Sequence, residues 1–308
     1  DEHRLDAVFN AAIILEGDQN YPRAASLFKK HADLAAKPDE AAESYFRAIV
    51  NYEKAKDLDA MVAAAKEFQK RYGTLPTQAA RVVESLYKMA VAYDERRDNS
   101  SAEKLMQQTT MEFRARRLAP ASDAAEWAAR AAFWLAERRF VDFQKLTIKG
   151  ELADLPKQRD RMAGDAKQVG AQYKAIQDYK RVNWTLAAMT REGAIYEHFA
   201  KSYADGFRNA PIPKDMKKAL EKAKKAGMTD DEIQGIKDEL QVQIDEKLAE
   251  EITPIEDTVQ KLYKLCLDAA ARFGVSNEWT LLARTRLNAY KPDQFPLLKE
   301  EKIEYQLD

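Results

Sequence analysis

The stretch AAESYFRAIVNYEKAKDLDAMVAAAKEFQ (residues 41–69) reads as two amphipathic helices joined by a tight polar turn. Tyr45, Ala48, Ile49 and Tyr52 recur at helical spacing, the turn KAKDL closes on Leu58, and Met61, Ala65 and Phe68 resume the spacing beyond it. Ile49 is matched twelve positions later by Met61, and the same interval links Ala12 with Ala24, Ala90 with Ala102, and Ala131 with Phe143. Val8, Ala11 and Leu15 surround the first of these anchors, Leu86, Met89 and Tyr93 the third, and Trp127 and Trp134 the fourth. The turns GDQNY, RRDN and ERRF, closing on Tyr21, Asn99 and Phe140, stand where KAKDL does. A single hairpin of this kind cannot cover its own apolar face, but stacked copies bury a continuous seam. About four hairpins are therefore expected over residues 1–150, and such an array points to binding.

These residues resemble the tetratricopeptide (TPR) repeat family over positions 5 to about 150. That family's pattern asks for a large residue, a small one four later, an aromatic three later, and a small residue at the start of the second helix. Ile49, Met61 and Phe143 are bulkier than its usual Ala or Gly, and Arg130 stands where Leu is common. Successive anchors lie 37, 41 and 41 residues apart, against a family period of about 34. The resemblance implies an all-α, TPR-like solenoid of helical hairpins in which the first helix of each hairpin lines a concave groove.

Projected onto this chain, the implied groove carries Asp6, Glu43 and Glu84 on one rail and Glu16, Glu53 and Asp94 on another. Between them run Phe9, Phe46 and Tyr87, then Ile13, Val50 and Val91. Two acidic rails around an aromatic and aliphatic strip suit a protein segment with apolar anchors and Lys or Arg, the charges setting register and encounter rate. The competing interpretation pairs Glu43 with Arg47 and Glu84 with Lys88 as ordinary i,i+4 contacts, worth about 0.2–0.5 kcal/mol each, and turns the aromatics into packing residues. In the fourth unit Ala125, Ala128, Ala132 and Leu135 break the ladder. That apolar face is expected to pack against the helices that follow.

Composition supports helices throughout. The 308 residues include only 10 Gly and 10 Pro, while Ala, Leu, Lys and Glu, all good helix formers, dominate. The length suggests two domains, 1–150 and 151–308. With 33% charged residues and a net charge of −1, nothing favours nucleic acid or an anionic membrane surface. No stretch approaches the roughly 20 consecutive apolar residues of a transmembrane segment. Cys266, the single cysteine, sits on the stripe Leu262, Leu265, Ala269 and reads as a core residue without a disulfide. The start DEHRLDA has neither a basic nor an apolar signal region and opens directly on a repeat helix, as a fragment of a longer repeat protein would.

Beyond Gly150 the hairpin interval stops and a longer-helix C-terminal domain is expected. One amphipathic helix spans about 156–181, and Asn183 is placed to cap a second that carries Trp184, Tyr196, Phe199 and Phe207. Ala210-Pro211-Ile212-Pro213 ends that pair. The lysine-rich KDMKKALEKAKKAG follows and stops at Gly227; the acidic run after it marks a solvated helix face. Thr229 with Glu232, and Thr253 with Pro254 and Glu256, predict the starts of two further helices, and a last helix begins near Ser276 or Asn277.

The runs GAIYEHFAKSYADGFRNAPIP, TPIEDTVQKLYKLCLDAAARFG and NEWTLLARTRLNAYKPDQFPLLKEE, within residues 193–301, resemble the terminal region of large TPR proteins of deltaproteobacterial cell envelopes, some linked to gliding motility. That resemblance implies a periplasmic or envelope-associated scaffold; the composition alone is equally compatible with the cytoplasm.

The inventory for chemistry is thin. His3, His31 and His198 lie far apart, with no HExxH, CxxC or carboxylate–histidine pair at ligand spacing and no glycine-rich phosphate loop. No catalytic residue, metal site or cofactor is expected. His31 and His198 read as packing residues, and the groups Arg96-Arg97, Arg114-Arg116-Arg117 and Arg138-Arg139 as solvated charges at helix ends. The expectation is a non-enzymatic protein–protein scaffold or adaptor. The alternative is a small-molecule or glycan-binding protein that uses the tyrosine-rich second half.

Overall fold

The computed structural model describes residues 2–297, which are all-α, with no strand among them. Contacts divide the chain into two units, Asp1–Leu135 with Asp178–Arg181, and Ala136–Gln177 with Val182–Asp308. The division falls after Leu135 rather than at 150, and it assigns a four-residue segment to the first unit across a long gap in sequence. The end of the chain from 298 onward, including the close of the KPDQFPLLKEE run, lies outside the described residues.

In the first unit three hairpins follow one another: α1 (Glu2–Gly17) with α2 (Tyr21–Leu34), α3 (Pro38–Lys54) with α4 (Leu58–Tyr72), and α5 (Ala79–Glu95) with α6 (Asn99–Ala115). Their turns share one construction. Gln19, Lys56 and Arg97 take left-handed backbone angles of 60°, 60° and 61°. The next residue, Asn20, Asp57 or Asp98, donates its N–H back to Leu15, Tyr52 or Tyr93, closing the outgoing helix. Asp57 and Asp98 also start the returning helix, accepting from the N–H of Ala60 at 3.0 Å and of Ser101 at 3.1 Å. Each turn thus depends on a left-handed residue followed by Asn or Asp.

The expected fourth hairpin does not form. The ERRF stretch has no such pair, so α7 (Asp123–Phe143) runs unbroken through Phe140. Inside the hairpins the anchors Ala12, Ala24, Ile49, Met61, Ala90 and Ala102 are buried, with Phe28 and Phe68 filling the space between helices. The small residues let helices approach closely. Burying a phenylalanine contributes about 1.5–3 kcal/mol.

The second unit is built on longer helices, α8 (Leu155–Ile176) and α9 (Val182–Arg208), followed by α10 (Lys214–Lys225), α11 (Asp230–Phe273) and α12 (Glu278–Tyr290). Thr229 and Glu232 form the expected capping box, and Asn277 caps α12 through the N–H groups of Trp279 and Thr280. Two expectations change. Asn183 falls inside the first turn of α9 and not at its cap. Thr253 and Pro254 start no helix, because α11 continues through them for 44 residues, about 66 Å at 1.5 Å per residue. There Thr253 Oγ1 donates to the carbonyl of Ala249 at 2.6 Å, so its hydroxyl is satisfied within the helix and does not cap a new one.

Helices α9 and α11 lie close together where Gly193 faces the ring of Tyr263; a β-carbon at 193 would stand 2.6 Å from a ring carbon. Cys266 is buried beside Thr190, as expected of a core thiol, and burial pushes its pKa up.

Candidate partner-binding cleft

The N-terminal ends of α3, α5 and α7 border an open cleft of about 590 Å³ in the first unit. Asp39 and Glu43 come from α3, Arg81 and Glu84 from α5, and Asp123 and Trp127 from α7, with Thr77 and Gln78 from the short turn before α5. Four carboxylates therefore face one guanidinium. The sequence prefers these positions for a local reason: acidic side chains in the first turn complement the helix dipole, as Asp39 does in α3 and Asp123 in α7.

Most of the predicted acidic rail residues are tied to the following repeat. Glu16 accepts from Lys54 Nζ at 2.9 Å and from Asn51 Nδ2 at 3.2 Å. Glu43 pairs with Arg81, and Glu53 accepts from Lys88 Nζ at 2.5 Å. Asp94 accepts from the indole N–H of Trp134 at 3.1 Å. Glu84 holds the other side of the Lys88 ammonium at 3.3 Å, and its burial outweighs that attraction to raise its pKa. Asp6 is exposed. The rails are thus inter-repeat stitches as well as negative surface. Of the two i,i+4 pairs weighed from sequence, Glu84–Lys88 is present; Glu43 turns instead to Arg81, and Arg47 lies over the rings of Phe9 and Phe28.

The aromatic strip is less open than a groove requires. Phe46 is 7% exposed and packs edge-on against Phe68, which corrects its placement on the groove surface: the position points into the seam between hairpins. Phe9 is half-buried against Phe28 and His31. Tyr87 is half-buried on Trp127, with ring centres 5.4 Å apart, and burial raises its pKa against the opposing effect of Arg130. Trp127 is the aromatic that reaches the cleft, with Lys88 and Arg130 each 5.0 Å from its ring centre.

Asp39, Arg81 and Asp123 were not anticipated. One signal for the first two was present in the sequence, since opposite charges or polar partners recur one repeat apart: Glu16 with Lys54, Glu43 with Arg81, Asp39 with Thr77. Arg116, expected to be solvated, likewise reaches back 43 residues to the carbonyl of Gly73 at 2.9 Å.

His31 is buried, sharing a hydrogen bond of 2.7 Å between Nδ1 and the hydroxyl of Ser44. His198 Nε2 lies 3.0 Å from the carbonyl of Leu146. Among the described residues no group of three or more His, Cys, Asp or Glu could hold a metal ion, and no helix is long and apolar enough to cross a membrane.

The tyrosines of the second unit form a different arrangement. Tyr173, Tyr203 and Tyr263 are all buried, and each donates to a carboxylate, Glu137, Glu251 and Glu197 respectively. An arginine holds each acid from another side: Arg191 grips Glu137 at 2.7 and 2.9 Å, Arg159 meets Glu251 at 2.6 Å, and Arg286 approaches Glu197 at 3.6 Å. Burial first, and then the neighbouring carboxylate, pushes these phenols far above their ordinary range. They are structural triads, so the aromatic surface invoked for sugar binding is largely internal. An open cleft of about 450 Å³ does lie on this unit between α10 and α11, lined by Pro211, Ile212, Leu220 and Ile233, by Lys217, Lys224 and Lys237, and by Glu221 and Asp230, of which Asp230 pairs with Lys224 at 2.5 Å.

No protein-family model matches the chain, and no curated protein matches it.

Proposed function

We propose that this protein is a non-enzymatic scaffold of the TPR type that holds a protein partner through the acidic cleft of its first unit, within a bacterial envelope assembly. The observation that carries the binding role is the gathering of Asp39, Glu43, Glu84, Asp123 and Trp127 on the walls of one open cleft bordered by α3, α5 and α7. A segment carrying Lys or Arg beside an apolar anchor matches that chemistry: the ammonium or guanidinium meets the carboxylates while the anchor covers the indole. Ties to Arg81 and Lys88 leave the acids oxygen lone pairs for such a partner, because each carboxylate has about four acceptor sites. The envelope placement rests on the resemblance of residues 193–301 alone.

The test keeps the inter-repeat hydrogen bonds while removing charge. Glu43→Gln, Glu84→Gln and Asp123→Asn together retain an amide oxygen at each position. Envelope proteins retained by the immobilised wild-type chain at low salt are expected to be lost with this triple variant and, for the wild type, at about 0.5 M salt, where the Debye length falls to roughly 4 Å. Equal retention by both chains removes the cleft from the binding role.

A second reading rests on the cleft between α10 and α11, whose apolar floor, with Lys217 and Lys237 beside the Lys224–Asp230 pair and Glu221, suits a small anionic amphiphile. A decanoate titration below its micelle concentration that leaves the melting temperature of the chain unchanged eliminates it.

A further inference from the structure

Helix α11 carries an apolar stripe at both ends, but the two stretches are covered differently. Along the part packed on α9, Val259, Tyr263, Cys266 and Ala270 recur at steps of four, three and four, and all are buried. Nearer its start Ile233, Ile236, Leu240, Ile244 and Leu248 recur at steps of three or four and so share one face. Here the neighbour is α10, whose Leu220 lines one cleft with Ile233 and whose Lys224 pairs with Asp230 at 2.5 Å. Leu220 is the one buried residue of α10, and Ile236, Leu240 and Ile244 of α11 are half-buried. A helix face that meets only water carries polar residues, so a stripe with core spacing and partial cover calls for a further neighbour.

Charge says what that neighbour is. Helix α10 carries six lysines against Asp215 and Glu221, whereas residues 230–250 of α11 carry eight acids against Lys237 and Lys247. Lys217, Lys218, Lys222 and Lys225 are exposed, as are Asp238, Glu239, Asp245 and Glu246. The cleft between the two helices shows both signs, Lys217 and Lys237 beside Glu221 and the Lys224–Asp230 pair. A uniformly basic or uniformly acidic partner would be drawn to one helix and repelled by the other. A second α10–α11 pair related by a twofold axis offers acid to α10 and lysine to α11 at once. The net charge of −1 leaves little long-range repulsion between whole copies.

We infer that α10 and the first half of α11 form a dimerisation arm whose occupant is the same arm of a second copy of this chain. Leu240 and Ile244 of each copy enter the other's cleft and cover Leu220, Ile233 and Ile212, the last of which is 39% exposed in the single chain. Glu239 and Asp245, which bracket that pair in sequence, meet Lys217 and Lys237 at the rim. Because the twofold repeats every contact, one cleft and one stripe serve both sides of the interface, and four helices enclose an apolar core that two leave open. This surface is independent of the acidic cleft of the first unit, and the second copy takes the space that a small amphiphile would fill.

Light scattering of the full chain, at concentrations from about 1 to 100 µM, reads the mass directly. The wild type is expected to pass from monomer to dimer in that range, and Leu240→Asp with Ile244→Asp to weaken association by about a hundredfold or more. Two charge reversals that leave the apolar residues in place keep the test independent of folding: Lys217→Glu with Lys237→Glu, and Glu239→Lys with Asp245→Lys. Each double variant alone is expected to associate about tenfold or more weakly than the wild type. An equimolar mixture of the two is expected to dimerise as the wild type does, because each rim then meets charges of opposite sign. A wild type that stays monomeric throughout, a dimer that survives the two aspartates, or a mixture that associates no better than either variant alone overturns the inference.

Discussion

In the first unit Glu16 meets Lys54, Glu43 meets Arg81 and Glu53 meets Lys88, partners separated by 38, 38 and 35 residues. In the second unit Tyr173–Glu137–Arg191, Tyr203–Glu251–Arg159 and Tyr263–Glu197–Arg286 join helices at separations that share no interval. The repeat unit ties successive hairpins through these charged pairs and packs them on a seam where Ala12, Ile49 and Ala90 are 0% exposed. The other unit ties half-buried carboxylates to the hydroxyls of the buried Tyr173, Tyr203 and Tyr263, where a hydroxyl left alone is penalised. A surface that must offer carboxylates to a partner is better served by the first arrangement.

Substitutions that strike each unit at its own kind of joint sharpen this contrast. Phe68→Ala empties the centre of the first seam and is expected to cost about 4 kcal/mol, read from urea denaturation followed by circular dichroism. Glu137→Ala strands the buried Tyr173 hydroxyl and Arg191 together and is expected to cost about 3 kcal/mol. Lys54→Ala, which removes an exposed ammonium from Glu16 and leaves that acid its bond from Asn51, is expected to cost under about 1 kcal/mol. A cost for Lys54→Ala as large as for Glu137→Ala would break the distinction between the repeat ion pairs and the triads built on buried tyrosines.

A pH titration separates the units further. Burial raises the pKa of Glu192 on α9 from 4.5 to about 7, against the opposing effects of Gln177 and Lys174. The folded state therefore holds this proton more tightly than the unfolded chain. Stability from Glu192 is gained as pH falls from about 7 towards 4.5 and is lost as pH rises through 7, by about 2 kcal/mol after allowance for partial solvent access. Glu192→Gln is expected to flatten that part of the stability profile; an unaltered slope between pH 5 and pH 8 in the variant contradicts the assignment.

The smallest effect concerns the turns. Lys56 and Arg97 sit in the left-handed region at φ of 60° and 61° without glycine's freedom. Replacing either with glycine is expected to raise stability by up to about 1 kcal/mol, visible as a melting shift of a few degrees at most. A loss of stability in Lys56→Gly would mean that its side chain supports the turn.

The same turns show what the sequence could reveal. Three hairpins were legible because anchor spacing and a local turn act together, and the Gln19-Asn20, Lys56-Asp57 and Arg97-Asp98 pairs discriminate them from Arg139-Phe140, which keeps helical angles. Thr253-Pro254-Glu256 has the composition of a helix start, yet one long helix passes through it, and the Thr253 hydroxyl bonds to the carbonyl of Ala249 inside that helix. The insertion of Asp178–Arg181 into the first unit left no local mark. Nor did the triads, since Glu137 and Arg191 are separated by 54 residues with nothing periodic between them. The acidic character of the groove was readable from Glu43 and Glu84, whereas the inward turn of Phe46 was not, because helix periodicity fixes a face and leaves its rotation against the next hairpin to packing.

The most direct measurement is retention of envelope proteins on the wild-type chain and on the Glu43→Gln, Glu84→Gln, Asp123→Asn variant, compared at about 0.05 M and 0.5 M salt after both chains are shown to melt alike. A partner held by the wild type at low salt, released at high salt and lost by the variant is the predicted result. A partner bound equally by both chains at both salt concentrations would contradict a scaffold that works through the acidic cleft.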